Sequence, residues 1–98
     1  MTRSELLNAS EEIIRNVLRG ALPAGAPVYI FGSRSRGDYR WNSDFDFWVD
    51  ADVPREKILE IEEQLEESIV PFGVDLVCTR QLQGEFGKRV KHEAKRWM

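Results

Sequence analysis

A chain of 98 residues, 42% hydrophobic and 32% charged, has the composition of one folded domain and excludes wholesale disorder. Its net charge of −3 excludes a global electrostatic pull toward nucleic acid, and its lone cysteine excludes an intramolecular disulfide. No apolar run approaches the length of a membrane helix and Met1-Thr2-Arg3-Ser4-Glu5 is no signal peptide, so a single cytoplasmic domain, residues 1–98, is expected, with no membrane and no direct nucleic-acid partner.

Ser4 is placed to cap a first helix, whose buried stripe is Leu6, Leu7, Ile13, Ile14, Val17 and Leu18 at three- and four-residue spacing. Gly20 and the stretch from Pro23 to Pro27 end it. Val28-Tyr29-Ile30-Phe31 is apolar without alternation, which predicts a central strand covered on both faces. Residues 32–43 are rich in Gly, Ser and Arg and read as a loop with room for a short helix. Phe45 to Val49 alternates and reads as a second strand. Pro54 suits the first turn of a helix with Asp52 as a possible cap; Ile58, Ile61, Leu65 and Ile69 mark its apolar stripe and Glu60, Glu62, Glu63, Glu66 and Glu67 its wet face. Val74 to Cys78 reads as a third strand, with Cys78 a buried reduced thiol. Leu82, Phe86, Val90, Ala94 and Trp97 predict a last helix, on which His92 lies among charges as an exposed, idle side chain. The order α-β-(loop)-β-α-β-α describes an α/β chain, an α+β sandwich; these patterns leave strand direction open.

The chemistry concentrates in Gly32-Ser33 followed by Asp44-x-Asp46. Side chains on a strand repeat with period two, so Asp44 and Asp46 leave one face while Phe45, Phe47 and Val49 leave the other. Two adjacent carboxylates repel unless a cation lies between them, which points to a divalent metal, Mg²⁺ above all. Asp75 alternates with Val74 and Leu76 and completes an acidic trio if the second and third strands are neighbours. Aspartate is depleted in strands, so three such placements favour function over accident. Glycine lets backbone N–H groups approach a phosphate, and the Ser33 hydroxyl can donate to one. Gly32 to Gly37 has the spacing of a Walker A loop, but Asp38 and Tyr39 stand where Lys and Ser/Thr are required. Arg34, Arg36 and Arg40 fit a triphosphate, and a solvated basic loop accounts for them equally. Tyr39 and Trp41 fit base stacking, a partner contact or partial burial.

These residues together, Gly32-Ser33-x₁₀-Asp44-x-Asp46 with Asp75 in a later strand, resemble the minimal nucleotidyltransferases of the DNA polymerase β superfamily. The resemblance implies the nucleotidyltransferase fold, a small mixed sheet flanked by helices. It implies that Asp44, Asp46 and Asp75 bind two Mg²⁺ ions, with Asp75 also helping to deprotonate the attacking hydroxyl. It further implies that Gly32 and Ser33, with Arg34 and Arg36, hold the phosphates of ATP while AMP passes to a hydroxyl. Larger members add a helical domain that grips the acceptor, and none follows Met98 here, so another chain is expected to complete the site. Stand-alone members resembling this one pair with a HEPN protein and act as antitoxin by adding AMP to a tyrosine of that toxin. Two other readings stay open: an idle binding module that neutralises its partner by contact, and a transferase for a small molecule.

Overall fold

The computed structural model describes residues Met1–Met98. The chain forms helix α1 (Arg3–Ala21), strand β1 (Val28–Phe31), short helix α2 (Ser33–Arg36), strand β2 (Phe45–Val49), helix α3 (Arg55–Glu66), strand β3 (Val74–Cys78), a 3₁₀ turn over Thr79–Gln81, helix α4 (Gly84–Glu93) and a two-residue strand β4 (Lys95–Arg96). The strands lie in the order β3-β2-β1-β4. β1 runs antiparallel to both its neighbours, whereas β2 and β3 run parallel, joined through α3. The sheet is therefore mixed, as the α/β sandwich and the nucleotidyltransferase fold require.

One face of the sheet carries the core. Phe45, Phe47 and Val49 from β2, Val28 from β1, and Leu76 and Cys78 from β3 are buried against Ile14 and Leu18 of α1 and Ile58, Ile61 and Leu65 of α3. Fully burying each such side chain contributes about 1.5–3 kcal/mol, so this face supplies most of the drive to fold. The opposite face carries Tyr29, Phe31, Asp46, Trp48, Asp75 and Val77. It is only partly covered: Phe86 of α4 meets Phe31 edge-on at 6.4 Å, and Tyr29 stacks on Trp48 at 4.7 Å. β1 is central, as expected, but its second face is closed only at Phe31. The polar residues of β2 and β3 thus open onto a half-covered wall.

Four expectations need correction. The cap of α1 is Thr2 rather than Ser4: its hydroxyl accepts from Glu5 N–H, and the Glu5 side chain accepts from Thr2 N–H, a reciprocal box that Ser4 cannot make. α3 stops at Glu66, and Ile69 lies beyond it, 66% exposed, because Ser68 turns the chain by bonding Leu65 O and Val70 N–H. Asp52 caps nothing and pairs instead with Arg80 at 2.6 Å. Finally, Trp97 is not helical. α4 ends at Glu93, and the next residues pair with β1, where Trp97 N–H donates to Val28 O at 2.8 Å. Covering the otherwise unpaired edge of β1 outweighs continuing the helix. Trp97 still reaches the core, its ring 4.6 Å from Phe47. No helix is long and apolar enough to cross a membrane.

Candidate active site

The parallel pairing of β2 and β3 sets Asp46 directly opposite Asp75. The antiparallel pairing on the other side sets Asp46 opposite Phe31, the residue before Gly32. Asp46 is therefore the hinge of the constellation, with Asp75 on one flank and the Gly32-Ser33 turn on the other. Asp44 lies one residue before β2, beside Gly73, where Phe45 N–H donates to Gly73 O at 2.8 Å. All three carboxylates line one cleft of about 510 Å³, together with Gly32, Ser33, Arg36 and Arg89.

Two glycines make this crowding possible. A Cβ at Gly73 would lie 2.6 Å from Oδ1 of Asp44, and a Cβ at Gly32 would collide with Oδ2 of Asp46. Gly32 also has φ 76 and ψ −156, open to glycine and strained for any other residue. Asp44 and Asp46 thus rest against bare backbone.

Electrostatics report the same convergence. Burial, then the Asp75 and Asp44 carboxylates, push the Asp46 carboxyl up to about 6, while Arg36 and Arg89 pull it down. A group that holds a proton this firmly has room for a positive charge beside it. Hard carboxylate oxygens are the donors that Mg²⁺ prefers. In chemistry the three aspartates suit that ion, although no three His, Cys, Asp or Glu side chains are drawn into a ready ligand cluster.

The arginines of the loop separate. Arg36 lines the cleft. Arg34 turns away from it: Nε donates to Ser43 O at 3.0 Å and Nη2 to Trp41 O at 2.8 Å, and its guanidinium lies 4.2 Å over Phe45. Burial lowers its pKa. Arg34 is the clasp that folds the loop back onto the core, and it does not line the cleft. Trp41 packs edge-on against Phe72 at 5.9 Å under the Arg3 guanidinium, and neither it nor Tyr39 lines the cleft.

Three further residues contribute to the cleft. Gly73 lies between α3 and β3, where a glycine ordinarily marks only a turn. Arg89 reaches the cleft from α4 and is three residues from Phe86, a spacing that puts both on one helix face. Glu93 accepts from Gly32 N–H at 3.1 Å and pairs with Arg36 at 2.9 Å. Burial raises its pKa, but the hydrogen bonds from Arg36 and Gly32 outweigh that and hold it below the usual glutamate range.

Known proteins resemble this chain in sequence and fold. Residues 6–96 match the family model described as polymerase beta, nucleotidyltransferase. No curated protein matches the chain. Among solved structures, a chain of a toxin–antitoxin complex with AMP-PNP superposes with a TM-score of 0.72 at 31% identity, covering 89% of this chain and 72% of that one. A chain from the tri-AMPylated Shewanella oneidensis HEPN toxin in complex with MNT antitoxin gives 0.67 at 27%, covering 92% and 71%. A chain of the MntA-HepT toxin–antitoxin gives 0.66 at 27%, with the same coverage of 92% and 71%. With the model spanning nearly its whole length, the chain belongs to the polymerase beta nucleotidyltransferase family.

Proposed function

We propose that this chain is the antitoxin subunit of a HEPN toxin pair and transfers AMP from ATP to a hydroxyl, a tyrosine of the partner toxin being the acceptor. The observation that carries the reading is the register of Asp46 with Asp75 beside the Gly32-Ser33 turn. It puts the Gly32-Ser33 backbone and the paired carboxylates on one wall. Likeness to structures of a toxin–antitoxin with AMP-PNP and of an AMPylated HEPN toxin with its MNT antitoxin supports the choice of nucleotide, partner and modification.

Asp44, Asp46 and Asp75 are the residues that would hold Mg²⁺, as two ions with the nucleotide. When bound, the metal neutralises charge on the phosphates and on the entering and leaving oxygens. The remaining work falls to the chain itself. The Gly32-Ser33 turn approaches the phosphates by backbone and hydroxyl, and Arg36 and Arg89 add positive charge to the same wall. Asp75, exposed on the edge strand β3, accepts the proton of the acceptor hydroxyl. The freed oxygen bonds to the α-phosphorus as the bond to pyrophosphate breaks. Fixing both reactants on a preformed wall is a large part of such catalysis.

Incubation of the purified chain with its HEPN partner, labelled ATP and Mg²⁺ tests the proposal. The partner should gain mass in units of AMP on tyrosine. An unmodified partner in a tight complex favours neutralisation by contact alone, and AMP on a small molecule but not on the partner favours the small-molecule transferase.

A further inference from the structure

Helix α4 closes on an unfavourable charge. The C-terminal end of a helix is its negative pole, where cations are stabilising, and Lys91 and His92 occupy the last turn accordingly. Glu93 nonetheless ends it. A residue that breaks a local rule is a candidate for a task elsewhere in the fold. Its carboxylate leaves the helix axis and divides between two partners: Oε1 accepts from Gly32 N–H at 3.1 Å, and Oε2 takes Nη1 of Arg36 at 2.9 Å. The side chain is 10% exposed, against 63% for Asp38, the other carboxylate that touches Arg36. Two more bonds join the same segments: the Ser35 hydroxyl donates to Glu93 O, and Lys95 Nζ donates to Ser35 O at 2.7 Å. The end of α4 is thereby stitched to the turn and to α2.

We infer that Glu93 is a positioning residue for nucleotide binding, holding the Gly32-Ser33 turn and the Arg36 guanidinium in the arrangement that receives the phosphates above Asp46. The inference deepens the function proposed above and rests on it. Gly32 is a freely rotating residue held at positive φ, and Arg36 is a long side chain on a one-turn helix. Both lose conformational freedom on meeting a phosphate unless something has already fixed them, and Glu93 fixes both before nucleotide arrives.

The sign of one measurement separates this role from simple charge. If Glu93 acted only as a negative charge near the phosphate subsite, removing it would free Arg36 and tighten nucleotide binding. If it positions the turn, removing it weakens binding. Titration of Mg²⁺–AMP-PNP into the full chain should show Glu93→Ala weaker than wild type by about 10- to 100-fold. Glu93→Gln, whose amide oxygen still accepts from Gly32, should fall between them. Glu85→Gln, which removes the same charge from the other end of α4, should match wild type. Unchanged or tighter binding by Glu93→Ala overturns the inference. A second readout needs no nucleotide: exchange of the Gly32 amide proton, followed by NMR, should be at least tenfold faster in Glu93→Ala. Equal exchange overturns the positioning role, whereas absent nucleotide binding by wild type counts against the proposed function alone.

Discussion

Asp46 on β2 and Asp75 on β3 face each other across a parallel strand pair, in register, on the half-open side of the sheet. Like charges held side by side are costly, and a fold that enforces the cost retains a reason to do so. Replacing Asp46 should therefore separate stability from activity. Asp46→Asn removes the repulsion and is expected to raise the thermal midpoint of the metal-free protein while lowering AMP transfer by at least 100-fold. A loss of both together would assign Asp46 a structural role.

The Asp46 carboxyl, displaced from 3.8 to about 6, also predicts how stability responds to pH. The native state binds this proton more tightly than the unfolded chain does. Its contribution is thus fully present below about 3.8 and is lost as pH rises through about 6. In metal-free protein, denaturant midpoints at pH 5 and pH 7 should fall for wild type relative to Asp46→Asn, whose amide does not titrate. A parallel response of the two proteins would place the titration elsewhere.

Gly32→Ala tests the close approach of the turn to Asp46. Its Cβ would collide with the Asp46 carboxylate, at a φ of 76 that alanine rarely adopts. Strain of this kind costs about 1–3 kcal/mol. Equilibrium unfolding should show that loss, and nucleotide binding should fall with it. Gly37→Ala shares the positive φ but meets open space, so it should be destabilised without the same loss of binding.

Trp97→Ala addresses the strand that sequence periodicity hid. Removing a ring packed 4.6 Å from Phe47 and capped by Arg15 at 4.5 Å should cost about 3 kcal/mol in urea unfolding. It should also release the pairing of β4 with β1, visible as faster amide exchange at Trp97 and Met98. A change under about 0.5 kcal/mol, the size expected of an uninvolved surface position, would contradict the placement.

Much of the site was legible because its chemistry follows strand periodicity. Alternation along Phe45–Val49 and Val74–Cys78 put Asp46 and Asp75 on the uncovered face, and neighbouring strands then sufficed to join them. Strand direction was hidden because it depends on how α3 crosses the sheet, which no local pattern encodes. Arg34 and Arg36 look alike in sequence; only the fold separates a clasp on the Ser43 and Trp41 carbonyls from a cation in the cleft. Trp97 continued the spacing of Phe86, Val90 and Ala94, so a helix and an edge strand made the same apolar prediction. Thr2 and Glu5 have the spacing of a capping box, and Ser4, a capping residue two positions on, offers a competing helix start. Glu93 left no sequence signal, because its partners lie 57 and 61 residues away.

The central claim is that Asp44, Asp46 and Asp75 bind nucleotide through a divalent cation beside the Gly32-Ser33 turn. Calorimetric titration of ATP into the purified chain, once with Mg²⁺ and once with EDTA, tests it most directly. Saturable binding with Mg²⁺ that vanishes in EDTA, and that Asp44→Ala or Asp46→Ala abolishes, is the predicted result. Equal affinity in both buffers, or full affinity in those variants, would contradict it.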